Sequence, residues 1–155
     1  MKAILLLVSH ALMLFIGLAL GLYLLPILTA PPSPDSDRLA AMAQGAAYSG
    51  ELTRELRGSD FLHWGEGTLS VSPARIVHEG KLAPGPDYRL YLLEDFVEHE
   101  DEFLPLKDRA RLVGDVKSFD GFILDVPADV DVAKYTTAVV WCEAFGEFIT
   151  ATRYR

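Results

Sequence analysis

Two hydrophobic patterns divide the chain, and the first is a nearly continuous apolar run close to its beginning. Residues 3–25 carry no formal charge, and Ser9 and His10 are their most polar members. At a rise of about 1.5 Å per residue, this run predicts a helix of about 34 Å, enough to cross a bilayer core of about 30 Å. A helix is expected because it pairs all the backbone polar groups of a lone segment in lipid.

A cleaved secretory signal peptide is the rival interpretation of this run. The apolar region of such a peptide is usually about 7–15 residues long, shorter than the run in this chain. Cleavage after Ala30 would also place Pro31 beside the cut and Leu28 where a small residue is expected. We therefore predict an uncleaved transmembrane signal-anchor helix within residues 1–30, which contacts the bilayer through residues 3–25.

The charged residues on either side of the run predict its orientation. Lys2 and the terminal amine precede it, whereas Asp35 and Asp37 follow it, with Arg38 reducing the contrast. Because basic residues are retained on the cytoplasmic side, we expect a single-pass protein with a cytoplasmic N-terminus and a periplasmic or extracellular C-terminal domain. Gly17 and Gly21 form a GxxxG pair that offers a homodimer contact, although small residues are common in any membrane helix.

Residues 31–58 have the pattern of a spacer followed by a short helical stalk. The prolines of residues 31–34 favour a stiff, extended segment. A periodic stretch over residues 39–47 predicts one helix with a polar cap. Residues 51–57 predict a second short helix, which ends at Gly58.

The rest of the chain changes to short extended runs separated by turn-forming residues. Period-two alternation is clearest in the last run, where Phe148, Thr150, Thr152 and Tyr154 would face one way. Such closely spaced runs predict a mainly β domain over residues 59–155, an antiparallel β-sandwich or barrel-like fold. The predicted strands are residues 68–71, 75–77, 88–93, 111–116, 121–126, 136–141 and 147–154.

The charge and the cysteine count limit what the translocated part can do. Of the 14 Lys and Arg residues, Lys2 precedes the span, which leaves 13 against 22 Asp and Glu residues, a net charge of −9. An acidic surface repels phosphate backbones, so we expect no nucleic-acid partner. The single cysteine, Cys142, excludes an internal disulfide.

Three motifs follow one another along the β region. They are His63-Trp64-Gly65-Glu66-Gly67-Thr68, then Gly85-Pro86-Asp87-Tyr88-Arg89-Leu90-Tyr91-Leu92, and then Val126-Pro127, Asp131 and Tyr135 followed by Val139-Val140-Trp141-Cys142-Glu143-Ala144-Phe145. With these motifs, residues 60–154 resemble the DM-thirteen domain. That family occurs in membrane-anchored bacterial proteins and in animal Skeletor-type proteins, and the chain looks like a membrane-anchored bacterial member.

The resemblance implies a role in electron transfer. The family is thought to act in electron transfer or oxidation at the cell surface, with a near-invariant cysteine as a bare thiol or a haem ligand, and Cys142 matches that cysteine. This implies a membrane-tethered redox accessory module with an unknown envelope redox partner. The cofactor stays undetermined, and haem is the candidate that a thiolate could hold. The alternative is a non-redox binding or scaffold module whose cysteine is structural.

Cys142 and His63 are the candidate site residues, and each also has a structural interpretation. No cation lies within six residues of Cys142 to stabilise a thiolate. Cys142 is therefore either a redox thiol or cofactor ligand, or a small buried core residue. His63, in the opening turn, is either a second cofactor ligand or a turn residue that caps backbone groups.

Other kinds of site are disfavoured. Copper is disfavoured because no histidine or methionine follows Cys142 at the spacing of a copper loop. His78 and His99 are predicted to lie at the surface, and the acidic residues 94–102 lack EF-hand spacing, which favours a solvated loop or edge strand. No hydrolase, phosphate-loop or dinucleotide motif supports a self-sufficient enzyme. The aromatic residues predicted in the core are Phe122, Tyr135, Trp141, Phe145 and Phe148.

Overall fold

The computed structural model describes residues 1–155 as two helices followed by a β domain. Helix α1 spans Lys2–Thr29 and α2 spans Ser36–Ala43. A short helix, α3 (Glu100–Phe103), continues into a 3-10 turn over Leu104–Arg109, and a second 3-10 turn covers Val132–Lys134. The strands are β1 (Tyr48–Leu52), β2 (Gly65–Val71), β3 (Arg75–Leu82), β4 (Tyr88–Leu93), β5 (Arg111–Val116), β6 (Phe122–Asp125), β7 (Thr137–Cys142) and β8 (Glu147–Arg153).

The eight strands form two antiparallel sheets that pack face to face. Sheet 1 has the order β1-β2-β3-β6 and sheet 2 the order β5-β4-β7-β8. The main core lies between them and includes Leu69, Ile76, Leu90 and Val140, each at most 1% exposed. The predicted antiparallel sandwich behind an N-terminal apolar helix is confirmed.

A second, smaller core covers the outer face of sheet 2. Trp141 and Phe148 pack there with Phe103 of α3, and the ring centroids of Phe103 and Trp141 are 4.8 Å apart. The acidic residues 94–102, predicted as a solvated loop or edge strand, form a loop that runs into α3. Their segment therefore brings Phe103 onto the outer face of the sheet.

The predicted helix over residues 51–57 is wrong. This part of the chain begins with β1, which pairs with β2 from Tyr48 opposite Val71 to Leu52 opposite Gly67. Leu52 is buried in the main core, so strand pairing and burial outweigh the local helix preference.

Strand β8 departs from the predicted alternation. The pairing of β7 with β8 shifts so that Val140 lies opposite Thr150 whereas Trp141 lies opposite Phe148. One extra residue of β8 therefore forms a β-bulge, which reverses the order of the two faces. Phe148 belongs to the outer core and Tyr154 to the main core, so the prediction that they share a face is wrong.

One helix is long and apolar enough to cross a membrane. Its range is Lys2–Thr29; an 18-residue window within it has a mean hydropathy of 2.5, and none of its residues is buried. A six-residue connection, residues 30–35, leads to α2, whose first turn is capped by the Asp35 carboxylate accepting from the Arg38 N–H at 2.8 Å. Leu39 then anchors α2 on sheet 1.

Candidate functional site

Cys142 is the last residue of β7, and it lies at one end of the sandwich, which we call the Cys142 end. It pairs with Tyr88 of β4 and Glu147 of β8. Strand β7 is central in sheet 2, so all its residues are buried. Cys142 faces the main core and is 2% exposed, and its Sγ–H donates a hydrogen bond to the Pro86 carbonyl at 3.0 Å.

A cavity of about 530 Å³, the Cys142 cavity, lies at this end of the domain. Its wall combines Cys142, His63 and Tyr88 of the β domain with Leu20 and Tyr23 of α1. Most of the lining is apolar, which suits an apolar or amphiphilic group held by a few polar atoms. The two candidate residues, far apart in the sequence, thus line one cavity.

The surroundings of Cys142 favour its neutral form. Burial raises the pKa of the Cys142 thiol above its ordinary value, and the carboxylates of Asp87 and Glu147 raise it further. Backbone N–H groups of Phe145 and Ala144 oppose this rise without cancelling it. The sulfur is therefore a protonated thiol at neutral pH, consistent with its role as a hydrogen-bond donor.

His63 lies in the turn before β2, and Asp60 organises that turn. One carboxylate oxygen of Asp60 accepts from the backbone N–H groups of Leu62 at 2.6 Å and of His63 at 2.8 Å. The other oxygen is 3.1 Å from Nδ1 of the His63 ring. Burial raises the pKa of Asp60, but these hydrogen bonds outweigh it and lower the pKa. The contact with Asp60 engages Nδ1, so Nε2 is the ring atom left to contact a ligand.

His78, predicted at the surface, is buried. Strand β3 continues beyond residue 77, where the prediction ended it, and carries the His78 ring inward to 5.1 Å from the Phe122 ring. Nε2 of His78 lies 3.1 Å from the Glu66 carbonyl, whereas Nδ1 is buried without a partner. Burial lowers the pKa of His78. His99, also predicted at the surface, has a 26% exposed side chain and caps α3.

Phe145, predicted in the core, is instead 55% exposed. It lies in the tight turn between β7 and β8, where Gly146 has a φ of +70°. A turn places its side chains outside the sandwich, so Phe145 lies on the rim of the Cys142 cavity. Trp141, Phe122 and Phe148 are buried, as predicted, and Tyr135 is partly buried against the main core.

Sequence reasoning missed a polar cluster on the outer face of sheet 2. The Tyr91 hydroxyl donates to the Glu143 carboxylate, which also accepts from Lys107 Nζ at 2.6 Å. Burial and the Glu143 carboxylate raise the pKa of Tyr91 to about 12. The Lys107 ammonium lies 5.3 Å from the centroid of the Trp141 ring. The only sequence signal was the alternation of β4, which turns Tyr91 away from the main core.

The residues around Cys142 do not fit a haem–thiolate centre. Such a ligand must be an ionised, accessible sulfur, whereas Cys142 is a buried thiol hydrogen-bonded to Pro86. For a bare metal ion, the chain contains no group of three or more His, Cys, Asp and Glu side chains that could hold it. What the site itself supplies is a thiol, an imidazole and an apolar wall.

Comparison with known proteins identifies the β domain. No curated protein and no solved structure matches the chain. A family model described as electron transfer DM13 matches residues 57–154, more than half of the chain. The matched region begins just after β1 and contains His63, the Cys142 end and all of sheet 2. The chain therefore belongs to the DM13 electron transfer family.

Proposed function

We propose that this protein is a membrane-tethered redox accessory module whose Cys142 thiol is redox-active. Membership of an electron transfer family supports the redox role. The observation that carries the assignment of Cys142 is its position on the wall of an apolar cavity that also contains His63.

The proposed step is thiol–disulfide exchange with a cysteine-bearing envelope partner. The Cys142 sulfur, as thiolate, attacks one sulfur of a partner disulfide, and a new S–S bond joins the two proteins. The partner's own S–S bond breaks, and its leaving sulfur departs as a thiolate that takes up a proton. Because Cys142 is the only cysteine, a thiol of the partner must resolve the mixed disulfide.

His63 is the proposed acceptor of the proton that Cys142 loses. It supplies the only titratable nitrogen among the cavity-lining residues, and the Asp60 contact leaves its Nε2 available. The Asp60 carboxylate contacts Nδ1 of His63 and also accepts the backbone hydrogen bonds of the turn. It therefore orients the imidazole that acts as the proposed base. The raised pKa of Cys142 keeps the thiol slow towards bulk oxidants, and a partner seated in the cavity would supply the selectivity.

One observation favours the second candidate function, a non-redox binding or scaffold module. Cys142 is only 2% exposed, and its one polar atom is already hydrogen-bonded to the Pro86 carbonyl. A structural cysteine has these features as well. In that case the cavity would serve a bound group without any chemistry at the sulfur.

Reaction of the full chain with a small aromatic disulfide separates the two candidates. We expect Cys142 to form a mixed disulfide in the folded protein, detected by mass and reversed by a dithiol. The Cys142→Ser variant should not react, and His63→Gln should react several-fold more slowly with an unchanged fold. The Glu79→Gln variant is the control, because this polar substitution lies away from the cavity. It should react with the disulfide at the rate of the unchanged protein.

Two results would contradict the proposal. If Cys142 reacts only after denaturation, the scaffold function is correct. If the purified protein shows a Soret band that disappears in Cys142→Ser, the cysteine is a haem ligand and the exchange step is wrong. The visible spectrum of the reduced and oxidised full chain is therefore recorded first.

The proposal also places the protein in a bacterial envelope, with α1 as a single-pass anchor. The hydropathy of Lys2–Thr29 supports the anchor, and Lys2 ahead of the span supports a cytoplasmic N-terminus. The β domain would then lie on the periplasmic or extracellular side. That compartment lets cysteine partners carry disulfides, which the exchange step requires.

A further inference from the structure

Three large apolar side chains are exposed together at the Cys142 end. Phe61 is 89% exposed, Phe145 is 55% exposed and Leu62 is 48% exposed. All three line the Cys142 cavity, so they form one contiguous rim although they come from two different loops. Contiguous exposed apolar groups mark interaction sites, unlike apolar residues scattered singly over a surface. We call Phe61, Leu62 and Phe145 the apolar rim.

Helix α1 meets the domain at this rim. Leu20 and Tyr23 of α1 line the Cys142 cavity together with the apolar rim. Further along α1, Pro26 lines a neighbouring cavity of about 370 Å³, whose opposite wall includes Gly85 and Phe119. The Cys142 end of the sandwich therefore faces the C-terminal part of α1.

The length of α1 determines where this contact lies relative to a bilayer. With 28 residues, α1 is about 42 Å long, about 12 Å longer than a hydrocarbon core of about 30 Å. With Lys2 at one interface, Leu20 lies about 27 Å and Tyr23 about 32 Å further along, at the opposite boundary of the core. Tyrosine is enriched at that boundary. The apolar rim is thus level with the interfacial layer of the membrane.

We infer that the Cys142 end docks on the bilayer that α1 crosses, with Phe61, Leu62 and Phe145 buried in the interfacial layer. This inference rests on the membrane anchorage of the proposed function. The occupant is lipid because the rim is continuous with a helix whose own surroundings are lipid. The Cys142 cavity then opens towards the membrane, and its ligand or partner group must reach it from that layer.

The contact is apolar rather than electrostatic. The part of the chain beyond the span carries a net charge of −9, so anionic headgroups repel it. No polybasic segment adjoins α1 on the side of the domain, where residues 30–38 contain Asp35, Asp37 and a single basic residue, Arg38. Docking is therefore expected on zwitterionic lipid and gains nothing from anionic lipid.

Tryptophan fluorescence with quenching lipids tests this contact. The full chain is reconstituted in nanodiscs of phosphatidylcholine, with or without acyl chains brominated close to the headgroup. Phe61→Trp and Phe145→Trp place an indole on the apolar rim. Leu104→Trp is the matched control, because Leu104 is 52% exposed but does not line the Cys142 cavity.

The expected result is that brominated lipid quenches the added fluorescence at positions 61 and 145 several-fold more than at position 104. Replacing part of the lipid with phosphatidylglycerol should not increase this quenching. Equal quenching at all three positions, or none at the rim, overturns the inference, as does quenching that requires anionic lipid. Carbonate extraction shows separately whether the chain is anchored. An anchored chain with an unquenched rim refutes docking alone, whereas an extracted chain refutes the anchorage.

Discussion

Among single residues, Gly121 is held to its identity by both its backbone conformation and its close neighbours. Its φ is +93°, and a Cβ there would lie 2.6 Å from Leu39 Cδ1 and 2.9 Å from the His78 carbonyl oxygen. We expect Gly121→Ala to lower the free energy of unfolding by about 1–3 kcal/mol. Gly114→Ala is the control, because its nearest neighbour would be 3.8 Å away. Urea unfolding checks both, and equal losses would contradict the explanation.

His78 makes the stability of the domain depend on pH. Its pKa is lowered in the fold because burial disfavours the charged ring, so the unfolded chain binds the proton more tightly. The contribution of His78 to the free energy of unfolding is therefore retained above about pH 6.5. Below that pH, the free energy of unfolding falls by at most about 1.4 kcal/mol per pH unit.

The His78→Gln variant isolates this effect. Glutamine keeps a donor for the Glu66 carbonyl but does not titrate, whereas His10, His63 and His99 remain in both proteins. The free energy of unfolding should therefore depend less on pH between about pH 5 and pH 7 in the variant. If the free energy of unfolding changed with pH in the same way in both proteins, protonation of His78 would not be coupled to folding.

At the scale of elements, α3 stabilises the domain by covering sheet 2. Phe103 is fully buried, with its ring centroid 4.8 Å from that of Trp141 and 5.7 Å from that of Tyr91. Phe103→Ala should lower the free energy of unfolding by about 3–5 kcal/mol. It should also shift the fluorescence emission of Trp141 to the red, because the indole loses its apolar cover. Leu104→Ala, at an exposed neighbouring position, should change stability by about 0.5 kcal/mol or less. A small loss at Phe103 would mean that α3 is not part of the cooperative core.

The elements show which parts of the fold the sequence could predict. Strands β4 and β5 were predicted with their observed bounds, because apolar runs ended by turn residues are local signals. Strand β1 was missed, since Gly50 and its neighbours become a strand only by pairing with β2. The bulge in β8 was missed for a similar reason, because it depends on register with β7 and not on composition.

The candidate site was predictable in its members but not in its surroundings. Cys142 was singled out because it is the only thiol, and His63 because of the motif around it. The cavity beside them needs the loop before β2, the turn after β7 and α1 to meet, which no local pattern encodes. The Tyr91–Glu143–Lys107 cluster was missed because its members are spread over three segments.

At the scale of the whole molecule, the prediction concerns orientation in the membrane. A C-terminal alkaline phosphatase fusion should be active, and a green fluorescent protein fusion exported by the same route should be dark. Replacing both Asp35 and Asp37 with Lys should reduce the phosphatase activity, because basic residues resist translocation. Replacing both with Asn should leave it unchanged, since acidic residues contribute little. A bright fluorescent fusion with an inactive phosphatase would reverse the assigned orientation.

The connection between α1 and α2 also limits how far the β domain can move away from the end of α1. Six residues separate Thr29 from Ser36, and a fully extended chain of that length spans about 20 Å. The prolines in this connection make it stiffer than a flexible linker. With α1 as the proposed membrane anchor, every encounter would be confined to a thin layer above the membrane, where diffusion is two-dimensional and a co-anchored partner has a high effective concentration. A partner free in solution gains none of this advantage, so even a weak contact can be selective for proteins held in the same membrane.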